Sequence, residues 1–313
     1  MQAVSVVMPT MRRPESLERA LRSLFAQTAA MASIVVVDND PAATARDTVA
    51  RLTPDSPCPL VYRHEPRPGV ATARNAGLSM TEAPLIAFLD DDEAASPGWL
   101  AALLAALEQT GADVVFGPIA GRVPADTGWA APYLEAFFGR EGPATTQLID
   151  KPWGCGNSLM VRATALPGPA PFDASADQSG GEDDALFAAL AARGGSFGWA
   201  ADAWVEEFAP PHRATMRYAL SRAFAYGQGP TQTAARAQDW PGVARWMLIG
   251  AAQTAVWGLA AIALTVLARP SRARMMDRGA RGLGKIFWMK GFEPRFYGAR
   301  ELARLNAISP SAA

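Results

Sequence analysis

Four short apolar runs alternate with helical periods in the first third of this chain, and that alternation restricts the fold more than any other feature. Residues 4–8, 34–37, 60–62 and 85–89 are rich in Val, Ile and Leu with no polar face, the pattern of strands buried on both sides. Between them, Pro14 suits a first helical position and Leu17, Leu21, Leu24 and Phe25 recur at helical spacing. Residues 70–80 and 100–107 read the same way. Strand then helix, repeated, predicts an α/β fold on a mostly parallel sheet, with ligands at the carboxyl ends of the strands. That rule brings three polar clusters to one rim: Pro9-Thr10, Asp38-Asn39-Asp40 and Asp90-Asp91-Asp92.

The fourth apolar run ends directly in Asp90-Asp91-Asp92-Glu93. Carboxylates this close repel one another, and a hard divalent cation carrying phosphate oxygens relieves the repulsion. Mg²⁺ or Mn²⁺ with a diphosphate ligand meets that demand. A solvated acidic loop that caps the helix after Pro97-Gly98 is the competing reading. Other classes drop out on composition. A formal net charge of −1 gives none of the basic field that a nucleic-acid partner needs. Cys58 and Cys155 lack Cys-x-x-Cys spacing, and with His64 and His212 they offer no zinc set, so a reducing cytoplasm is expected. Residues 4–8 are too short for a signal-peptide core, and Pro9 breaks them.

At 313 residues the chain has room for a catalytic domain and a smaller appendage. The reading is a catalytic domain over residues 1–230 and a helical region over 231–313. Within the first, residues 156–162 read as a further strand, 182–193 as a helix and 210–229 as a connecting helix. After Trp240-Pro241-Gly242 the character changes: residues 246–268 carry no charge and run to about 23 residues, enough to cross a bilayer. Arg269, Arg272, Arg274, Arg278, Arg281 and Lys285 follow, and a single crossing from the cytoplasm would leave them outside, against the positive-inside tendency. A peripheral or re-entrant helical hairpin on the cytoplasmic side of the cell membrane is the expected arrangement, with Phe287, Trp288, Met289 and Phe292 as anchors. A buried helix of a soluble domain is the alternative.

Ser5-Val6-Val7-Met8-Pro9-Thr10, Arg12-Arg13-Pro14 and Val35-Val36-Val37-Asp38-Asn39-Asp40 together resemble the nucleotide-sugar half of family-2 glycosyltransferases with the GT-A fold, a Rossmann-like sheet. Gly69-Val70-Ala71-Thr72-Ala73-Arg74-Asn75-Ala76-Gly77 is similar to that family's Gly-x-x-x-Ala-Arg-Asn-x-Gly segment. Phe88-Leu89-Asp90-Asp91-Asp92 resembles its Asp-x-Asp element, and Gly180-Gly181-Glu182-Asp183 its acidic acceptor-side motif. The resemblance covers residues 3 to 230. Within the family, Arg222-Ala223-Phe224-Ala225-Tyr226-Gly227 points to bacterial exopolysaccharide glucosyltransferases of the succinoglycan type.

That resemblance implies an inverting, metal-dependent enzyme moving a hexose, glucose in this branch, from a UDP-sugar to a lipid-linked saccharide acceptor at the membrane surface. It implies nucleotide-sugar contacts from Pro9, Thr10, Arg12, Asp38, Arg74, Asp90 and Asp91. Asp92 becomes the direct ligand of Mn²⁺ or Mg²⁺, Asp90 the ribose or bridging-water contact beside it, and Asp183 the general base with Glu182 its acceptor-binding neighbour or alternative. Glu206 departs from the pattern, standing where many relatives carry a histidine that sometimes meets the metal.

Several of these residues keep a second reading. Asp38 can accept from a uracil imide N–H or close an Asx turn before Pro41. Arg74 can clamp phosphate or the metal-site carboxylates, or lie exposed on its helix. Glu182 and Asp183 can form a capping box instead of an acceptor site. Trp153 and Asn157 can wall the acceptor side, where an indole stacks on a sugar face, although a core Trp fits equally. Cys155 reads as a small buried residue, having no histidine base beside it. Two other functions compete: a nucleotidyltransferase, for which the loop after the first strand lacks phosphate-binding glycines, and a non-catalytic nucleotide-sugar-binding scaffold.

Overall fold

The alternation forms as expected. The computed structural model describes residues 3–178 and 180–294. Its first half runs β1 (Val4–Thr10), α1 (Pro14–Phe25), β2 (Ser33–Asp38), α2 (Arg46–Leu52), β3 (Leu60–His64), α3 (Val70–Leu78), β4 (Leu85–Phe88), β5 (Glu93–Ala95) and α4 (Trp99–Thr110). It continues with β6 (Val114–Phe116), β7 (Ile119–Arg122), α5 (Ala131–Phe138), β8 (Gln147–Ile149), β9 (Ser158–Val161), α6 (Arg162–Ala165) and α7 (Glu182–Ala192). The remainder is β10 (Phe197–Trp199), β11 (Val205–Phe208), α8 (Met216–Arg236), α9 (Trp240–Val266) and α10 (Arg272–Ile286).

Eight of the described strands make one sheet in the order β3-β2-β1-β4-β9-β6-β10-β8. β3, β2, β1 and β4 are mutually parallel, and antiparallel β9 separates β4 from β6. Side-chain alternation along β1 explains its two buried faces. Val6 and Met8 join Leu17, Leu21, Leu24, Trp99 and Leu103 of α1 and α4 on one side. Val7 joins Ala71 and Ala73 of α3 and Phe187 and Leu190 of α7 on the other. β3 departs from the expected double burial: it is the sheet's edge, and its residues are only partly covered.

Parallel register sets the rim. Thr10 lies beside Asp38, while Val7 pairs with Phe88, so Asp90 begins where β4 has run out. The ladder to β4 ends before Pro9, which has no N–H to give it. α3 approaches this sheet closely at Gly77, where a Cβ would stand 2.5 Å from Val7 Cγ1. The glycine of the Ala-Arg-Asn-x-Gly segment thus lets α3 sit low enough for Arg74 to reach the strand tips.

The chain divides into two compact units: one holds the residues up to Ala120 with Arg140–Glu207, the other Gly121–Gly139 and the helices from Phe208 onward. The second unit therefore begins before residue 231 and recruits α5 from the middle of the chain. Its physical reason is α8, which packs against α10 so closely that a Cβ on Gly227 would meet Arg281 O at 2.2 Å. Tyr133 of α5 is fastened there as well, donating from its hydroxyl to Asp277 Oδ1 at 2.9 Å.

Candidate active site

The acidic run after β4 is held by two arginines. Asp91 is buried, accepting at Oδ2 from Thr10 Oγ1 at 2.7 Å and from Met11 N at 3.4 Å. Arg13 donates to Asp91 Oδ1 at 2.9 Å and to Asp92 Oδ2 at 2.7 Å, bridging the two carboxylates. Burial, with Asp92 and Asp90 nearby, pushes the Asp91 carboxyl up to about 6 against the opposing pull of Arg13. The motif Arg12-Arg13-Pro14 implies a site role for Arg12, yet it is Arg13, placed just before Pro14 at the start of α1, that meets the acids. Arg12 turns elsewhere, donating from Nε to Asp40 Oδ1 at 3.0 Å.

Arg74 resolves to the buried reading. Its side chain is 5 % exposed and faces the Phe88 and Phe172 rings at 6.0 and 5.5 Å. One guanidinium nitrogen donates to Glu182 Oε1, and another stands 3.7 Å from Asp90 Oδ1. A single side chain thereby ties the strand-tip acids to the acidic motif 108 residues away in sequence. Burial raises both Glu182 and Asp90 above the usual carboxylate range, while Arg74 opposes the rise in each. Glu93, which supports Asp90 by accepting from its backbone N–H at 3.0 Å, is pushed well upward by burial and by Asp90 and Glu207.

No capping box forms at α7. Gly181 occupies the cap without a side-chain bond, and Gly180 and Gly181 take φ of +76° and +89°, which glycine alone adopts cheaply. Glu182 then goes inward to Arg74. Asp183, partly exposed, accepts at Oδ2 from Cys155 N at 3.1 Å and at Oδ1 from Asp184 N at 2.9 Å. Cys155 is a buried spacer, as read, and burial pushes its thiol far up, so it is no nucleophile.

Two expected site residues are buried and spend their polar atoms on internal hydrogen bonds. Asp38 closes the Asx turn: it is 0 % exposed and accepts from Asp40 N at 3.1 Å, Ala45 N at 2.8 Å and Tyr62 Oη at 2.9 Å. Asn157 does not face an acceptor. Its backbone takes φ +52°, and its buried amide accepts from Trp99 Nε1 at 2.7 Å and donates to Pro118 O and Ala203 O. A buried indole N–H needs a partner, and Asn157 supplies it. Trp153, by contrast, is 38 % exposed, with its ring against Trp199 and under Arg140.

Arg140 gave no sign of itself in the sequence. It is buried and donates to Gly154 O at 3.1 Å and, at 3.4 Å, to Gly117 O and Asn157 O, fixing the loop that carries Trp153 and the Cys155 N–H. Gly156 on that loop touches the acids directly: a Cβ there would lie 2.6 Å from Asp90 Oδ2 and 3.1 Å from Glu93 Oε1. At the neighbouring strand, Asn39 binds Glu65 O, Arg67 O and Gly69 N, and so sets where α3 begins. The start of α3 is closed by Asp177, whose carboxylate accepts from Ala71 N and Thr72 Oγ1.

Among the described residues, no three His, Cys, Asp or Glu side chains gather as a ready-made metal cage. Mg²⁺ and Mn²⁺ do not require one, because they take one or two carboxylates and fill the remaining positions with water and substrate phosphates. Asp90, 39 % exposed and with its charge disfavoured by burial and by Asp92, fits such a cation together with Asp92.

Comparison with known proteins gives the family. The sequence profile described as Glycosyl transferase family 2 matches residues 5–166. Succinoglycan biosynthesis protein ExoM of Rhizobium meliloti (strain 1021) is 36 % identical over 229 residues, covering 70 % of this chain and 71 % of that protein. Validoxylamine A glucosyltransferase of Streptomyces hygroscopicus subsp. jinggangensis (strain 5008) is 34 % identical over 155 residues, covering 48 % of this chain and 36 % of its own length. The crystal structure of S. aureus TarS 1-349 in complex with UDP shares the fold, with a TM-score of 0.53 at 15 % identity and 92 % of both chains covered. A GT-A-like sheet, the Asp90-Asp91-Asp92 tip, and a profile match across it lead to one conclusion: this chain is a glycosyltransferase and belongs to glycosyl transferase family 2.

Proposed function

We propose that the chain moves a hexose, glucose first among the candidates, from a UDP-sugar to a lipid-linked saccharide acceptor, with inversion, in the synthesis of an exopolysaccharide or other cell-surface polysaccharide on the cytoplasmic side of the cell membrane. The observation that carries this reading is Arg74, which joins Asp90 to Glu182 and so gathers donor-side and acceptor-side acids in one crevice. The succinoglycan role of ExoM and the UDP held by TarS support the choice of product and donor.

In this reading Asp183 takes the acceptor hydroxyl proton as that oxygen attacks the anomeric carbon. The bond from that carbon to the UDP oxygen breaks, and a single displacement inverts the centre. Cys155 N–H holds the Asp183 carboxylate toward the loop, and Glu182, fixed by Arg74, meets the acceptor beside it. Trp153 offers its exposed indole to a sugar face. Asp92 and Asp90 would hold Mg²⁺ or Mn²⁺, which would supply charge stabilisation for the departing diphosphate. Thr10, Arg12, Asp38 and Pro9 shape the nucleoside end from behind, and Asp40 Oδ2, buried without a hydrogen-bond partner, is the acceptor there that an imide N–H would complete.

The test is a screen of UDP- and GDP-sugars with Mn²⁺, read by hydrolysis and by thermal shift. UDP-glucose is expected to give hydrolysis and the largest stabilisation, about 2.7 kcal/mol at a hundredfold excess over Kd, with both effects lost on chelation. A response to GDP-sugars alone, or to none, overturns the donor assignment. Gly156→Ala supplies a second check. It is expected to push Asp90 aside and lower transfer about 10²-fold, on the scale of an ångström-sized misplacement. Stability should stay within about 1 kcal/mol, because the partly exposed carboxylate can swing away. Equal losses in urea midpoint and in turnover would show a folding defect instead.

A further inference from the structure

α9 is built inside out. Leu248, Val256, Leu259, Ile262 and Val266 recur along its outer side, each more than half exposed. The inner side carries Gly250, Thr254 and Ala261. This inner side meets α10 at backbone distance: a Cβ on Gly250 would stand 2.6 Å from Gly282 O, and one on Gly282 would stand 2.6 Å from Thr254 Oγ1. Small residues inside and large apolar ones outside is the arrangement of a helix whose outer solvent is lipid.

The same contacts decide how such a helix can lie. α10 runs back along α9, with Gly279 opposite Gly258 and Gly282 opposite Gly250. It carries Arg278 to the middle of the apolar stretch, where the guanidinium stacks 4.6 Å from the centre of the Trp257 ring. Trp257 is the midpoint of the uncharged residues 246–268. A crossing by α9 would hold Arg278 at the centre of the hydrocarbon, where a guanidinium is strongly disfavoured. Lying in the plane avoids this: the outer side enters the boundary between headgroups and acyl chains while α10 stays on the wet side.

The charge around the apolar side points to the lipid class. Between Asp239 and Asp277 there is no acidic residue, whereas Arg245, Arg269, Arg272 and Arg274 fall in that interval. Arg245 and Arg269 bracket the apolar side at its two ends, and both are exposed. We propose that the outer face of α9 is a bilayer-contact surface that rests flat on anionic lipid and does not cross the membrane. This deepens the membrane placement of the proposed function and rests on it.

The experiment is flotation of the purified full chain with phosphatidylcholine vesicles, with or without phosphatidylglycerol. The chain is expected to float with the anionic vesicles, to be weakened by salt, and to be stripped by alkaline carbonate. Leu259→Glu with Ile262→Glu should abolish flotation. Arg245→Gln with Arg269→Gln should lower vesicle affinity on the order of 30-fold, at roughly fivefold for each basic residue. All four positions are exposed, so circular dichroism and Mn²⁺-dependent UDP-sugar hydrolysis should be unchanged. Extraction by detergent but not carbonate would overturn the proposal in favour of a span. Equal binding to neutral vesicles, or none, would also overturn it. So would a dimer in vesicle-free solution that the Glu pair dissociates, which would assign the face to a second copy. An unsubstituted chain that hydrolyses UDP-sugar but does not float removes this surface and leaves the enzyme reading standing; one that floats but hydrolyses no nucleotide-sugar does the reverse.

Discussion

Asp183→Asn is expected to lower sugar transfer about 10³-fold, within the range a positioned general base contributes, while leaving UDP affinity within about a factor of two. Asparagine has nearly the same volume, and its amide oxygen can still accept from Cys155 N–H, now 3.1 Å from Asp183 Oδ2. The loop and the start of α7 should therefore stay in place. What disappears is the capacity to take a proton, together with the acceptor for the Asp184 N–H. Paired measurements of initial rate and of UDP binding by calorimetry give the answer: a loss of UDP affinity comparable to the loss of rate would mean that Asp183 serves the donor and not the acceptor.

Arg74→Met should be the most damaging single change to stability, about 3–5 kcal/mol, the usual cost of removing one partner from a buried ionic network. The substituted side chain still packs between Phe88 and Phe172, so the loss isolates charge and not volume. Glu182 would then be left buried without its partner and Asp90 without the nearby positive charge, and both already hold their protons more tightly than ordinary carboxylates. The sign follows from linkage. A carboxyl raised in the folded state binds more protons than its unfolded counterpart, so its folded form is favoured at low pH and loses stability as pH rises through the raised value. The Arg74→Met deficit should therefore be larger at neutral pH and shrink on mild acidification, as read from urea midpoints at the two conditions. A deficit that is the same at both would assign the damage to packing.

Much of this was legible in the chain itself, for reasons that differ by residue. The β1 to β4 core could be read because both-face burial leaves an unbroken apolar run, and the acids at its tip because a strand must stop where charge begins. Arg74 stands between Gly69 and Gly77, and Glu182 directly follows Gly180-Gly181, which made both visible before their contact was. Asp38 and Asn157 were harder, because side-chain direction depended on distant partners: Tyr62 and Ala45 for one, the Trp99 indole for the other. Arg140 could not be found at all, since its acceptors are backbone carbonyls brought near only by the fold. The uncharged length of α9 was plain, yet its orientation depended on which helix lay against its glycines.

Arg13 and Arg74 have one more consequence. They already offset part of the charge of Asp90, Asp91, Asp92 and Glu182, so the polypeptide can reach its native state with no cargo aboard. Under the proposed function, an incoming cation would therefore enter as a rival to an internal one, and loading would become an exchange of counter-ions.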